Sequence, residues 1–180
     1  MLRTLFASAL LLAGVSGGAL AQDTGFTLSG GYTRMQLDDY ELDLITFRGG
    51  YDFSEYFGVE GQLDLGIDGD TANGCPTGYV CAAVQRELDL EYGAGLYGVA
   101  RLPIGETFNI FGRAGYQHAD FDANFTPTGG IGDGSFAWGV GAQWDFAETS
   151  GVRFDYTRAD FDGLGEADSF SLSYVLRFGG

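Results

Sequence analysis

Few side chains in this chain are equipped for covalent chemistry. There is one histidine, His118, in the stretch Gln117-His118-Ala119-Asp120. A hydrolytic site needs a nucleophile and a base within hydrogen-bond reach of each other. His118 instead reads as a rim residue at the end of a strand, so no catalytic residue is expected. Cys75 and Cys81 are the only cysteines and lie in the turn-rich segment DGDTANGCPTGYVCAAV. In an exported chain they form a short local disulfide. A metal centre would need two more ligands, and His118 is far away in sequence. No cofactor is expected.

The larger reactive set is ionic. Arg48, Arg101, Arg113, Arg153 and Arg177 share the polar parity of alternating segments with Asp52, Glu60, Asp64, Asp89, Glu91, Asp145 and Asp155. Such a nearly balanced set suits ion pairing in a confined space, because an unpaired buried charge costs several kcal/mol. Arg48, Arg113 and Arg153 are expected to pair with Glu60, Asp64, Asp145 and Asp155.

The elements that carry these residues repeat with a period of two, the signature of a strand with one apolar and one polar face. Eight such segments follow one another: Phe26–Leu37, Leu44–Phe53, Phe57–Ile67, Leu88–Leu102, Phe108–His118, Phe136–Phe146, Val152–Ala159 and Ser169–Phe178. In the first, the alternation slips near Tyr32-Thr33, where a bulge or strand end is expected. Short connectors (Ser54–Tyr56, Pro103–Thr107, Ala147–Gly151) alternate with long ones (Asp38–Asp43, Asp68–Glu87, Ala119–Ser135, Asp160–Asp168). Ahead of them, MLRTLFASALLLAGVSGGALAQ has a basic start at Arg3, an apolar run from Leu5 to Val15 and the small-x-small site Ala19-Leu20-Ala21. It reads as a signal peptide over residues 1–21, leaving one domain over 22–180.

No later segment has the roughly 18 uninterrupted apolar residues of a transmembrane helix. If the mature chain sits in a membrane, it crosses as a closed barrel. Strands of about 10 residues with short turns at one end and long loops at the other match an all-β, eight-stranded antiparallel up-and-down transmembrane barrel. Three features place the apolar face in lipid. Bulky groups such as Phe47, Trp138, Trp144, Phe154 and Tyr174 share that face, while Gly, Ser, Ala and Thr line the other, as a narrow lumen requires. The polar face carries the near-balanced charges. Aromatic residues gather at one end, at Tyr51, Phe53, Tyr56, Phe57, Phe108, Trp144 and Phe146, as an interfacial girdle.

The stretch TFRGGYDFSEYFGVEGQL resembles the second hairpin of small Gram-negative outer-membrane proteins of the OmpA-like and opacity-protein type. FNIFGRAGYQ resembles their fifth strand. SFSLSYVLRF resembles their last, with Phe170, Leu172, Tyr174, Leu176 and Phe178 as the assembly signal read by the barrel-assembly machinery. Such chains usually end on the aromatic, whereas Gly179 and Gly180 follow Phe178 here. The resemblance implies the cell outer membrane, with lipid and lipopolysaccharide as neighbours. In lipid A deacylase barrels a serine stands two residues after the histidine; here that position is Asp120.

The formal net charge is −16 and no lysine occurs, which excludes nucleic acid as a partner. Asp38, Asp39, Asp68, Asp70, Asp120, Asp122, Asp160 and Asp162 in the long connectors are candidates for divalent cations, although solubility is the plainer role. The expected function is a structural or surface-interaction role through the acidic loops, with the lumen plugged by Arg–carboxylate pairs. A small ion-conducting pore is the alternative, a lipid-modifying enzyme a lesser one. A monomer is expected.

Overall fold

The computed structural model describes residues 25–37, 40–68, 70–73, 85–123, 130–161 and 165–178. Nine strand segments make one antiparallel sheet: β1 (Gly25–Leu37), β2 (Tyr40–Asp52), β3 (Phe57–Asp68), β4 (Asp70–Asn73), β5 (Gln85–Ile104), β6 (Phe108–Ala123), β7 (Gly130–Ala147), β8 (Ser150–Phe161) and β9 (Gly165–Phe178). Both β3 and β4 pair with β5 and together form one stave, so the barrel has eight. It closes where β1 meets β9, from Phe26 opposite Phe178 to Leu37 opposite Ala167. Closure removes the sheet edges, which a strand structure in lipid must do to satisfy its backbone groups.

Three short turns close one end. At the first, Ser54 Oγ accepts from the backbone N–H of Phe57 at 3.0 Å and of Tyr56 at 3.3 Å. At the second, Gly105 has φ 75°, a left-handed conformation that disfavours any residue with a Cβ.

The exterior is apolar through most of the height. Leu96, Leu172, Tyr116, Phe26 and Phe136 are among the side chains that project outward. On β9 the outward apolar run goes from Phe170 to Phe178. About nine residues at ~3.3 Å each, tilted by about 40°, cover roughly 23 Å, close to the ~25 Å band of outer-membrane barrels. Aromatic contacts tie the turn end together: Phe26 with Tyr51, Trp144 with Phe146, and Phe146 with Tyr174.

Two expectations are corrected. β1 has no bulge or end near Tyr32-Thr33; its pairing with β2 and β9 runs without a break. The side chains go on alternating in direction, and what changes is the polarity of each face. Inward residues pass from Thr33 to Met35 and Leu37, and outward residues pass from Tyr32 to Arg34 and Gln36. The irregularity lies in β5, where the pairing with β6 skips between Leu90 and Tyr92. That extra residue reverses the phase, so Leu90 points inward while Asp89, Glu91 and Tyr92 are exposed. Asp89 and Glu91 therefore do not belong to the lumen set.

The outer half of the barrel encloses an apolar core of Met35, Leu37, Leu42, Leu44, Leu90 and Phe121, with Phe161 edge-on to Phe121 at 5.8 Å. Below it the lumen is mainly polar, with Val99, Phe111 and Val175 as buried apolar members.

Candidate functional site

The polar lumen centres on two carboxylates, Glu60 on β3 and Asp155 on β8. Alternation points both inward, and both are buried. Three guanidiniums converge on them from β2, β6 and β8. Arg153 reaches Glu60 at 2.5 Å and Asp155 at 3.0 Å. Arg113 reaches Glu60 at 2.9 Å and Asp155 at 3.5 Å. Arg48 reaches Asp155 at 3.2 Å and Glu60 at 3.9 Å. Arg carries its donors in a planar fork, so each can serve two carboxylates at once.

The remaining donors and acceptors are met by residues outside the expected set. Gln62 Oε1 accepts from Arg48 Nε at 2.9 Å and from an Arg113 N–H at 2.7 Å. Its amide nitrogen donates to Asp64 at 2.7 Å, and Thr46 donates to the other Asp64 oxygen at 2.6 Å. Arg48 also donates to Ser171 and Ser173, and Arg113 to Thr157. Two aromatic faces take the guanidiniums from below or beside: Tyr97 lies 4.4 Å from Arg113, and Phe111 lies 4.1 Å from Arg153. The inward parity of Gln62, Thr46, Ser171 and Thr157 was readable in the sequence. Their part in the network was not, because it depends on contacts across the barrel.

The glycines of β7 make room for this layer. A Cβ on Gly141 would stand 2.4 Å from the Phe111 ring, and one on Gly139 would stand 2.8 Å from Thr157 Oγ1. Between the ionic layer and the apolar core is a cavity of about 10 Å³ lined by Thr33, Met35, Leu44, Asp64, Arg113 and Asp155 among others. That is the size of a single water.

The other members of the expected set stand apart. Asp64 makes its contacts with Thr46 and Gln62 rather than with an arginine. Asp145 takes Arg177 at 2.7 Å and Gln143 at 2.8 Å, and Asp52 takes Arg101. These two pairs lie at the turn end, more open to solvent than the centre. Arg48, Arg113 and Arg153 thus share two carboxylates instead of dividing four.

His118 points outward at the opposite rim, with Nε2 3.5 Å from Asp120 Oδ2. Asp120 also accepts from Tyr92. Asp68, Asp120 and Asp160 lie on strands, as do Asp70 and Asp122, rather than in loops. Asp38, Asp39, Asp162, Cys75, Cys81 and the segment 1–21 lie outside the described residues. Among the described residues no three His, Cys, Asp or Glu side chains are grouped to hold a metal ion. Phe170, Leu172, Tyr174, Leu176 and Phe178 all project outward from β9.

Known structures share this architecture. The outer membrane protein OprG from Pseudomonas aeruginosa aligns with a TM-score of 0.65 and 11% identity, over 87% of this chain and 97% of that one. The N-terminal β-barrel domain of Pseudomonas aeruginosa OprF aligns at 0.58 and 14%, over 84% and 97%. Ail, the attachment invasion locus protein of Yersinia pestis, in complex with the heparin analogue sucrose octasulfate, aligns at 0.56 and 17%, over 86% and 97%. At these identities the likeness shows the fold alone. No curated protein sequence matches. The sequence profile of the outer membrane protein beta-barrel domain matches residues 7–178, nearly the whole chain. With its closed eight-stave barrel and apolar exterior, the chain is a member of that outer-membrane family.

Proposed function

We propose that this protein is a non-conducting, non-enzymatic barrel of the outer membrane, with a structural and surface-interaction role carried by its acidic outer rim and outer connectors. The observation that carries the reading is the filled lumen. Two different materials block it in series: the Arg48–Arg113–Arg153 layer on Glu60 and Asp155, and the apolar core above it. Breaking an ion pair would still leave Leu42, Leu44, Phe121 and Phe161 in the way. Binding then falls to the outer end, as it commonly does on a rigid scaffold.

Charge constrains the partner. Ail was crystallised with a polysulfated sugar, but a chain with net charge −16 and no lysine repels such a ligand. Basic partners, or divalent cations bridging to lipopolysaccharide phosphates, suit it better. On this reading residues 1–21 are a cleaved export signal and Cys75 and Cys81 form a loop disulfide. The last strand is read by the barrel-assembly machinery, and the protein works as a monomer.

Planar bilayer recordings test the central claim. The expected result is no steady conductance from the native chain, and none from Glu60→Gln. A large steady conductance from the native chain would establish the small-pore alternative. Thermal stability unchanged by EDTA would remove the divalent-cation part.

A further inference from the structure

The sequence contains Tyr-Thr-Arg twice, at Tyr32–Arg34 and at Tyr156–Arg158, and each is followed by a Glu-x-Asp, at Glu41–Asp43 and Glu166–Asp168. The spacings differ by one residue, yet the pairing makes the two copies congruent. Arg34 stands opposite Asp43 as Arg158 stands opposite Asp168. Tyr32 stands opposite Ile45 as Tyr156 stands opposite Phe170.

The contacts repeat as well. The tyrosine hydroxyl donates to the aspartate, Tyr32 to Asp43 and Tyr156 to Asp168. The arginine Nε lies beside the same aspartate, at 3.0 Å for Arg34, where it donates a hydrogen bond, and at 3.1 Å for Arg158, an ion pair without hydrogen-bond geometry. A terminal nitrogen lies toward the glutamate, at 3.8 Å for Glu41 and 2.6 Å for Glu166. The threonine between Tyr and Arg points inward: Thr33 meets Thr46 and Ser171, and Thr157 accepts from Arg113. Each tripeptide therefore ties the outer surface to the lumen. The two modules lie on four adjacent strands, β2-β1-β9-β8, one on each side of the closing seam. A simpler tyrosine–aspartate contact in a different register, Tyr92 directly opposite Asp120, lies on β5 and β6 without the arginine.

The surroundings are the same at each copy. The outward residues opposite the tyrosines are apolar, Ile45 and Phe170, and those next above the arginines on the same strands are polar, Gln36 and Asp160. A guanidinium and a carboxylate together resist hydrocarbon, while a tyrosine ring accepts it and its hydroxyl does not. Each arginine also lies beside two acids, which offsets its charge toward a lipid phosphate.

We propose that the two modules are an immersion stop: they hold the boundary between hydrocarbon and headgroups of the outer leaflet at Tyr32 and Tyr156. This rests on the membrane-barrel assignment and is independent of whether the lumen conducts.

The test uses the full chain with Cys75→Ser and Cys81→Ser, refolded into vesicles of phosphatidylcholine of two chain lengths. Nitroxide labels are placed outward at Ile45→Cys, level with Tyr32 and below the Arg34–Asp43 pair, or at Gln36→Cys, above that pair. Accessibility to oxygen and to a water-soluble nickel chelate reads depth. The native modules should keep the label at position 45 oxygen-accessible and that at 36 nickel-accessible in both lipids. Replacing Arg34, Asp43, Arg158 and Asp168 by Leu should bring position 36 into the oxygen-accessible zone in the thicker bilayer. That is a shift of about one pair of residues, roughly 5 Å in depth. Tyr32→Phe with Tyr156→Phe, which keeps both rings, should shift it less and in the same direction. A crossover away from positions 36–45 in the native protein would overturn the proposal. So would an unchanged crossover in a Leu variant that folds, as shown by its heat-shifted band. If the Leu variant does not fold, the native crossover and the Phe variant decide, and an unmoved crossover in the Phe variant then counts against the stop.

Discussion

Along β2 the inward side chains read Leu42, Leu44, Thr46, Arg48 and Asp52, while the outward ones read Glu41, Asp43, Ile45, Phe47 and Tyr51. Inside, the change from apolar to polar falls between Leu44 and Thr46. Outside, the opposite change falls between Asp43 and Ile45. The outer half is thus organised like a water-soluble barrel, with its apolar residues enclosed, and the inner half like a membrane barrel, with its apolar residues outside. The same strand serves both because a period of two says only that faces alternate, and the solvent decides which face is apolar. The two halves are consequently stabilised by different physics. Water drives the burial of Leu42 and Leu44, whereas hydrocarbon gives Phe47 little to gain and leaves ion pairing and packing to order the lumen.

That contrast can be broken in measurable ways. The largest effect is expected in the lower half. Glu60→Ala leaves three buried guanidiniums with one shared carboxylate and should cost about 3–5 kcal/mol in urea unfolding from vesicles. Glu60→Gln, which keeps acceptor and donor atoms in place, should lose less. In the outer half, Leu44→Ala should cost about 2–5 kcal/mol through the cavity it leaves. The lipid-facing Phe47→Ala should cost less than Leu44→Ala, because an acyl chain can fill the space. Equal losses at 44 and 47 would remove the distinction between the halves.

The smallest effect concerns the outer surface. The Arg34 guanidinium, and then the Tyr32 hydroxyl, hold the Asp43 carboxyl below its ordinary range. A lowered folded-state pKa adds stability at pH values above the unfolded value of about 4, and this is lost as pH falls through the folded value. The contact should therefore survive mild acidification and loosen only below about pH 4, a dependence that Asp43→Asn should abolish. Titration of the Asp43 carboxyl by NMR reads it directly; a midpoint above the ordinary value would refute it.

Much of this was legible in the chain. The opening run of β3, Phe57 to Ile67, announces its two faces residue by residue, and the structure puts Glu60 and Asp64 inside and Val59, Leu63 and Leu65 outside. The apparent slip in β1 was misread because a change of solvent imitates a change of register. Asp89 and Glu91 were misplaced because one extra residue in β5 leaves no mark in the composition. The pairing pattern in the lumen was least legible. Parity puts a side chain inside the barrel but does not say which strand across the lumen it meets, so neither the shared role of Glu60 and Asp155 nor the bridge through Gln62 could be read off.

Where the lumen partners come from has a kinetic consequence. Glu60 and Arg153 are separated by 93 residues, and Arg48 and Asp155 by 107. These contacts run between distant staves, so they can form only after the sheet has curled and its ends have joined. Interactions that form after the rate-limiting step leave the folding rate alone and slow the reverse reaction. The charge layer then behaves as a clasp. Its loss should shorten the lifetime of the inserted barrel far more than it delays insertion, giving a protein that enters the membrane on time and comes apart early.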